Sequence, residues 1–282
     1  MKLSIITINR NNAEGLRKTL DSVGSQSYMQ FEHIIIDGAS HDGSVEVIKN
    51  YVETASTALV RWVSEPDKGI YNAMNKGIRM AEGDYIQILN SGDMLYDDHV
   101  VEKMQAELER LNTQAAKEGS ESVGILYGNM LKKDFSTGKL IGKSGYAEYS
   151  LSQFYWSTLN HDCAYIRRDL FDRYGLYDEE LKIVSDWKWY LQAIGLGDVK
   201  PVYVDIDVTI FDAGGISETN LKLRNEERRK VLEEVMPPAV LWDYDHHAFD
   251  GVQMDRLRKH HLYKLVWFIE RVLFKLEKWR LV

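Results

Sequence analysis

Hydrophobic residues in the first half of the chain alternate between short apolar runs and segments with helical spacing. The runs Leu3–Ile8 and Phe31–Ile36 are rich in isoleucine, which is typical of strands buried on both faces. Two more strands are predicted at Val60–Val63 and Asp84–Leu89. Between the strands, the spacing predicts helices at 14–25, 44–54 and 69–81. Strands that alternate with helices of this length indicate an α/β fold with a parallel, doubly wound sheet.

The second half of the chain has a less regular pattern. It predicts strands at Gly124–Tyr127 and Val202–Ile206, with an aromatic stretch at Tyr146–Trp156. Helices are predicted at 97–111, 168–174, 186–194, 217–235 and 256–281. A break near Met236-Pro237-Pro238 separates the last two helices. We predict a globular domain over 1–220 and a C-terminal helical extension over 221–282.

Each of the four predicted N-terminal strands ends in polar residues. One such loop would be ordinary, because turns favour Asp, Asn, Ser and Gly, but four in succession predict a ligand crevice. In doubly wound sheets, ligands bind beyond the carboxyl ends of the strands. The strand ends read Thr7-Ile8-Asn9-Arg10, Asp37-Gly38-Ala39-Ser40, Ser64–Gly69 and Asn90-Ser91-Gly92-Asp93.

Composition narrows the class of protein. Hydrophobic residues make up 44% of the 282 and charged residues 28%, which is typical of a soluble globular chain. A single cysteine, Cys163, excludes an intramolecular disulfide and a cysteine-only metal site. The start Met1–Ile8 does not read as a signal peptide, and no apolar run approaches the roughly 20 residues that span a bilayer. We therefore expect a cytoplasmic protein that is not integral to the membrane.

The net charge of −8 is unevenly distributed. Residues 256–282 hold eight Lys and Arg against two Glu, so the other 255 residues carry a balance of −14. The acidic body argues against nucleic acid as a partner. In the tail, apolar residues recur at helical steps among basic ones, which favours an amphipathic anchor on the inner membrane face. The alternative is a helix packed on its own domain or on a second copy, so a homo-oligomer stays open.

Two familiar nucleotide motifs and two zinc motifs are absent. The chain has no G-x-G-x-x-G after the first strand and no G-x-x-x-x-G-K-[ST], which argues against dinucleotide oxidoreductases and P-loop NTPases. It also lacks H-E-x-x-H and C-x-x-C.

The motifs that are present occur in a characteristic order. Together they resemble a family 2 glycosyltransferase over roughly residues 1–217. The matching segments are Leu3–Arg10, Asp37–Ser44, Ser64–Gly77, Leu89–Asp93, Asn160-His161-Asp162, Arg167–Phe171, Gly175–Glu179, Val184–Trp187 and Gly214–Ser217. The resemblance implies a GT-A fold, a mostly parallel central sheet flanked by helices, and inverting transfer of a sugar from a nucleotide sugar.

The resemblance also implies a donor site. A divalent cation, Mn²⁺ or Mg²⁺, neutralises the charge that develops on the diphosphate. Ser91 stands where a D-x-D-like motif has its first acidic residue, which leaves Asp93 as the implied metal ligand. Asp37 is implied to accept a hydrogen bond from uracil, and the other implied donor contacts are Thr7, Asn9, Asp67, Lys68, Ser91 and Gly92. Ordinary turns and helix caps are the alternatives at Asp37, Asp67 and Asp93.

On the acceptor side, inversion needs a base that takes the proton of the attacking hydroxyl. The resemblance assigns this role to Asp186 at a helix N-terminus, with an N-cap as the alternative. His161 and Trp187 are acceptor-side candidates, although a structural histidine and a core tryptophan are equally compatible. The glycine-containing loop Asp212–Ser217 is expected to close on the substrate.

We therefore expect a peripheral inverting glycosyltransferase of glycan biosynthesis with a saccharide acceptor, lipid-linked in the favoured case. UDP is the nucleotide that the resemblance favours, and dTDP and GDP sugars stay open. A sugar nucleotidyltransferase is a rival, although Asn9-Arg10-Asn11-Asn12 lacks the Gly-rich loop that such enzymes usually carry. The second rival is a noncatalytic protein that binds a nucleotide sugar or acts as a scaffold. It stays open because Ser91 departs from the D-x-D-like motif.

Overall fold

The computed structural model describes residues 2–54, 59–134, 137–212 and 219–247, together with residues 265, 268 and 269. The chain divides into two compact units, Met1–Val231 and Leu232–Val282. The predicted loop after Asp212 and most of the predicted basic helix at 256–281 lie outside the described residues. Within the described residues, no helix is long and apolar enough to cross a membrane.

The first unit is built on one large mixed sheet. Four parallel strands form its N-terminal half, and these are β1 (Leu3–Asn9), β2 (Phe31–Asp37), β3 (Leu59–Ser64) and β4 (Tyr85–Asn90). The other strands are β5 (Met94–Leu95), β6 (Ile125–Asp134), β7 (Lys139–Ser144), β8 (Ala164–Arg167) and β9 (Pro201–Asp212). Within the described residues, the strand order is β3-β2-β1-β4-β8-β6-β9-β5, with β7 paired to β6. This arrangement confirms the predicted α/β class. Of the predicted mostly parallel sheet, the four N-terminal strands are parallel, and β5, β7 and β8 add antiparallel pairs.

Helices connect the strands and cover the sheet. They are α1 (Ala13–Gly24), α2 (Ser44–Thr54), α3 (Ile70–Met80), α4 (Val100–Glu118), α5 (Leu151–Trp156), α6 (Asp169–Tyr174), α7 (Ser185–Tyr190) and α8 (Leu221–Val235). A π-helical turn, Leu191–Gly195, follows α7, so the helix predicted through residue 194 changes its winding after Tyr190. Residues 238–247 are also helical.

Burial on both faces explains the isoleucine-rich strands. Every residue of β1 and β2 is buried, which is the property that a continuous apolar run predicts. One face packs on α1 and α2 through Leu16, Leu20, Ile35 and Ile48. The other face packs on α3. The sheet therefore has layers of helices on both sides, and its strand ends are the free edge.

Three strands were not predicted from the sequence. β5 and β8 have two and four residues, which is too short for a periodic pattern. β7 reads KLIGKS and is almost entirely exposed, so its hydrophobic pattern does not mark a buried face. β6 and β9 both extend beyond the predicted ends, because buried polar residues such as Asn129 and Thr209 continue the strands and interrupt their apolar pattern.

The contact between α3 and β1 gives a test of this packing. A Cβ added at Gly77 would lie 2.4 Å from the Cγ2 methyl group of Ile6, which cannot retreat within the buried strand. We expect Gly77→Ala to lower the free energy of unfolding by about 1–3 kcal/mol, measured by urea denaturation. The matched control is Gly142→Ala, where the nearest atom would be 3.8 Å away. Equal stability of both variants would contradict this close packing.

Candidate active site

The four parallel strands end at a common polar edge. Asn9, Asp37 and Ser64 end β1, β2 and β3, and they are direct partners in the strand register. Asn90 ends β4 and pairs with Ile8. The structure therefore brings together the polar strand ends that the sequence pattern predicts, including Ser64 and Asn90, which had no individual role assigned.

Asp37 is fully buried and accepts four hydrogen bonds. Its Oδ1 accepts from Asn9 Nδ2 at 2.8 Å and from Ser40 Oγ at 2.6 Å. Its Oδ2 accepts from Ser40 N at 3.0 Å and from Ser64 Oγ at 2.6 Å. Burial alone would raise the pKa of this carboxyl, but the hydrogen bonds lower it below its ordinary value. A direct contact with a nucleotide base therefore requires one of the two hydroxyls to turn away.

The remaining predicted donor residues have different surroundings. Thr7 is fully buried, and its Oγ1 lies 2.9 Å from Nε2 of His33 inside the helix-covered face. Asp67 accepts a hydrogen bond from Lys76 Nζ at 2.6 Å, and its side chain is only 4% exposed. Lys68 is exposed at the start of α3. Of these three, Lys68 is the one open to solvent.

A tight turn holds Ser91, Gly92 and Asp93 against α1. Gly92 has a φ of 114°, which favours glycine, and its N–H donates to Thr19 Oγ1 at 2.9 Å. The same hydroxyl donates to the carbonyl of Asp93 at 2.7 Å. Asn12 Nδ2 donates to the carbonyl of Ser91 at 2.9 Å. These contacts fix the turn, so the buried carboxylate of Asp93 has a defined position.

Asp186 lies in the first turn of α7, as the sequence predicts, and both carboxylate oxygens have partners. Its Oδ1 accepts from the Tyr71 hydroxyl on α3 at 2.8 Å. Its Oδ2 lies 3.3 Å from Nδ1 of His161, and both side chains are 16% exposed. Two side chains from separate parts of the chain therefore hold this carboxylate at the edge of the site.

The His161–Asp186 pair favours its charged form. Burial alone would raise the pKa of Asp186, but the hydrogen bond and charge of His161, together with Tyr71, lower it below its ordinary value. Burial alone would lower the pKa of His161, but the hydrogen bond and charge of Asp186, with neighbouring carboxylates, raise it to about 9. The carboxylate at residue 186 is therefore ionised at neutral pH.

Asn90 links this pair to the turn below β4. Its Nδ2 donates to Asp93 Oδ2 at 3.1 Å and lies 3.3 Å from Nε2 of His161. A continuous series of side chains thus runs from Asp93 through Asn90 and His161 to Asp186. Neither Asn90 nor Tyr71 was predicted to have a role in the site. The only signal for Asn90 was its position at the end of a predicted strand.

Trp187 lies next to Asp186 in the chain but is 2% exposed. Its Nε1 donates to the carbonyl of Phe154 at 2.8 Å, and the guanidinium carbon of Arg228 lies 4.7 Å from the ring centroid. Trp189 is also 2% exposed, and its Nε1 donates to the carbonyl of Gly175 at 2.8 Å. In this structure, both rings are part of the packed support beneath α7.

Two polar contacts position the segment that carries Asp186. Glu227 on α8 accepts from the N–H of Lys182 at 2.8 Å and from the N–H of Ile183 at 2.9 Å. Asn75 on α3 donates to the carbonyl of Tyr177 at 2.8 Å and accepts from its N–H at 3.0 Å. The roles of Glu227 and Asn75 were not predicted, because both depend on a loop whose path the sequence pattern does not give.

The contact of Glu227 places part of α8 with the first unit, although the sequence-based boundary lies at 220/221.

A cavity of about 270 Å³ lies beside the paired side chains. Its lining includes His161 and Asp186 together with Asp162, Lys132, Arg224 and Arg228. None of the predicted strand-end donor residues lines it. Asp186 therefore stands between two polar regions, the strand edge and this cavity.

The residues present fit a divalent cation that is shared with a ligand. Within the described part of the chain, no group of three or more His, Cys, Asp or Glu side chains could hold a metal ion alone. Asp93 offers one buried carboxylate in a fixed turn. Mg²⁺ is commonly bound by one or two carboxylates together with substrate phosphates, and Asp93 suits that arrangement.

Comparison with known proteins gives one family. Residues 4–175 match the model of glycosyl transferase family 2. An uncharacterized glycosyltransferase of Mycobacterium tuberculosis is 31% identical over 220 residues, which cover 76% of each chain.

Two solved structures have a similar fold at low identity. S. aureus TarS in complex with UDP-GlcNAc gives a TM-score of 0.60 at 20% identity, covering 82% of this chain and 64% of that one. The mannosyltransferase PcManGT from Pyrobaculum calidifontis, in complex with GDP-Man and Mn²⁺, gives a TM-score of 0.61 at 16% identity. The match covers 97% of this chain and 80% of that one.

The raised pKa of His161 predicts a pH-dependent stability. A group whose pKa is higher in the folded state stabilises the fold below its unfolded pKa, about 6.5 for histidine, and the effect is lost as pH rises through about 9. We expect the difference in unfolding free energy between wild type and His161→Gln to shrink from pH 6.5 to pH 9.5, measured by urea denaturation. Parallel pH profiles for wild type and His161→Gln would refute the assignment.

Proposed function

The chain belongs to glycosyltransferase family 2, and we propose that it is an inverting enzyme that transfers a sugar from a UDP-sugar to a saccharide acceptor. The observation that carries this proposal is the ionised, partly exposed carboxylate of Asp186. It is held by Tyr71 and His161 and lies between the strand edge and the cavity. A carboxylate in that position can act as a general base between a donor and an acceptor.

In the proposed reaction, the acceptor hydroxyl attacks the anomeric carbon while the bond from that carbon to the diphosphate oxygen breaks. The electron pair of the broken bond leaves with the nucleoside diphosphate. The proton of the hydroxyl passes to a carboxylate oxygen of Asp186. Tyr71 and His161 fix the orientation of the carboxylate, so that little reorganisation is needed when the proton moves.

The donor is proposed to bind along the ends of β1 to β4. Asn9 and Asp37 form the base end of this site, with buried Thr7 supporting the strand behind them. Asp67 and Lys68 lie just before α3, where the exposed ammonium group of Lys68 can contact a phosphate as a point charge. Ser91 and Gly92 are proposed to lie near the ribose or the phosphates. The solved complex of TarS with UDP-GlcNAc supports UDP as the nucleotide of a related fold.

Asp93 is proposed to hold a divalent cation, Mn²⁺ or Mg²⁺, together with the diphosphate. Such an ion would stabilise the negative charge of the departing nucleotide. Asn90 donates to one oxygen of Asp93 and keeps the carboxylate oriented. The presence of Mn²⁺ in the PcManGT complex supports this assignment.

The acceptor is proposed to be a lipid-linked saccharide at the inner membrane surface. The support is the composition of residues 256–282, in which basic residues alternate with apolar ones. Anionic lipid attracts such segments by about 1 kcal/mol for each basic residue near the surface.

Replacement of the proposed base tests the mechanism. Asp186→Asn keeps the size of the side chain but removes the proton acceptor, so we expect transfer to fall by about 10²- to 10⁴-fold. UDP-sugar affinity, measured by calorimetry, should stay within about threefold of wild type, because the strand edge is unchanged. Asp169→Asn, which removes an exposed carboxylate on α6, is the control. Full transfer activity in Asp186→Asn would refute the role of this residue.

The proposed cation site has a separate test that does not depend on an acceptor. A ligand that binds only the folded state raises the melting temperature. We expect UDP with Mn²⁺ to raise it more than UDP alone, and more than GDP, dTDP or CMP under the same conditions. In Asp93→Asn, the Mn²⁺-dependent part should need about tenfold more metal or should disappear, while the shift with UDP alone remains. An unchanged Mn²⁺ response in Asp93→Asn would exclude this residue as the ligand.

A further inference from the structure

Basic side chains are prominent in the lining of the cavity beside Asp186. Lys132 from β6 and Arg224 and Arg228 from α8 all contribute to its lining. The two carboxylates in the lining have protein partners of their own. Asp186 is held by Tyr71 and His161, and Asp162 Oδ2 accepts from Thr209 Oγ1 at 2.6 Å. The lining therefore carries more cationic side chains than carboxylates.

Arg228 is held firmly but keeps donors available. Its Nη1 and Nη2 donate to the carbonyls of Trp156 at 3.3 Å and Ser157 at 3.0 Å, and its guanidinium stacks on Trp187. An arginine carries five N–H donors, so three of them make no hydrogen bond within the described part of the chain. Among the residues that the structure describes, no carboxylate lies within ion-pair distance of Arg228. The stacking and the two carbonyls fix the orientation of a guanidinium that still has donors to offer.

The charge of Arg228 is costly in this position. Burial and the neighbouring charge of Arg224 lower the pKa of Arg228 to about 10, and the charge of Asp186 opposes that effect only in part. Two guanidinium groups in one partly buried wall repel each other, and neither burial nor repulsion favours folding. An anion bound between them would reverse both effects.

We infer that the acceptor substrate carries an oxyanion, a phosphate or a carboxylate, and that Arg228 and Arg224 bind this group in the cavity beside Asp186. This inference rests on the proposed function, because it takes Asp186 as the base that faces the acceptor. The planar fork of arginine binds both kinds of oxyanion in bidentate geometry. The volume of about 270 Å³ lies just below the usual range of about 300–1,000 Å³ for ligand pockets, which suits one charged saccharide unit.

The inference can be tested by binding small probes to the full-length protein. The donor site is first saturated with UDP and Mg²⁺, so that added anions cannot bind there. Glucose 1-phosphate, glucuronate, inorganic phosphate and glucose are then titrated while the melting temperature is recorded. We expect the anionic saccharides to raise it and glucose to have no effect. The phosphate and carboxylate probes distinguish the two sources of the oxyanion.

Variants on α8 connect the effect to named side chains. Arg228→Gln should weaken binding of the anionic saccharide about tenfold or more, as expected for the loss of a charge-assisted hydrogen bond. Lys222→Gln removes a positive charge from the same helix at a side chain that is 88% exposed, and it should bind like wild type. Because Arg228 also supports two carbonyls, Arg224→Gln provides a second variant with the same expected loss if Arg228→Gln fails to fold.

The possible results separate this inference from the proposed function. If UDP shifts the melting temperature but the anionic saccharides do not, or if they shift wild type and a folded arginine variant equally, the oxyanion site is refuted and the proposed function stands. If UDP has no effect, the proposed function fails. Anion binding by wild type and by the Arg228 variant can still be compared in the nucleotide-free protein. Weaker binding by the variant supports the oxyanion site in the cavity, and equal binding refutes it.

Discussion

The site depends on holding one carboxylate charged in a mostly buried position. Asp186 stays ionised because Tyr71 donates to one oxygen and the imidazole of His161 faces the other. These partners lie 115 and 25 residues away in the chain, so they meet only when distant parts of the first unit fold together. Removal of one partner from such a pair leaves a charge that burial penalises. Contacts from other elements hold the segment around Asp186 in place. Glu227 on α8 accepts from the N–H groups of the preceding loop, and Asn75 on α3 bonds to the backbone of Tyr177.

The same pair connects the two sides of the proposed reaction. His161 contacts Asp186 through one ring nitrogen and lies near Asn90 through the other, and Asn90 donates to Asp93. The proposed metal ligand, Asp93, and the proposed base, Asp186, are thereby fixed to one framework. Because both belong to rigid elements beside a buried sheet, their separation is determined by folding. Such preorganisation lowers the cost of aligning two substrates.

The sequence predicted the strand edge well and the support of the site poorly. Asn9, Asp37 and Asp93 follow strands with strong apolar patterns, so their convergence follows from parallel pairing alone. The position of Asp186 in the first turn of a helix was also predicted from local sequence. In contrast, Tyr71 and Glu227 act through contacts with residues far away in the chain, Tyr71 with Asp186 on α7 and Glu227 with the loop before it, and no periodicity encodes such a contact. The surroundings of Trp187 illustrate the same limit, because a tryptophan beside a catalytic candidate has the same sequence pattern whether it binds a sugar or packs in the core.

The cationic cavity contrasts with the acidic composition of the rest of the chain. Outside residues 256–282 the chain carries a balance of −14, so its surface on average repels anions. Lys132, Arg224 and Arg228 come from two separate elements but line one small cavity beside the proposed base. An anionic acceptor would therefore gain favourable electrostatic energy mainly where its hydroxyl can react. Repulsion elsewhere and attraction at the cavity would act together, so the acidic composition would also increase the selectivity of the proposed acceptor site.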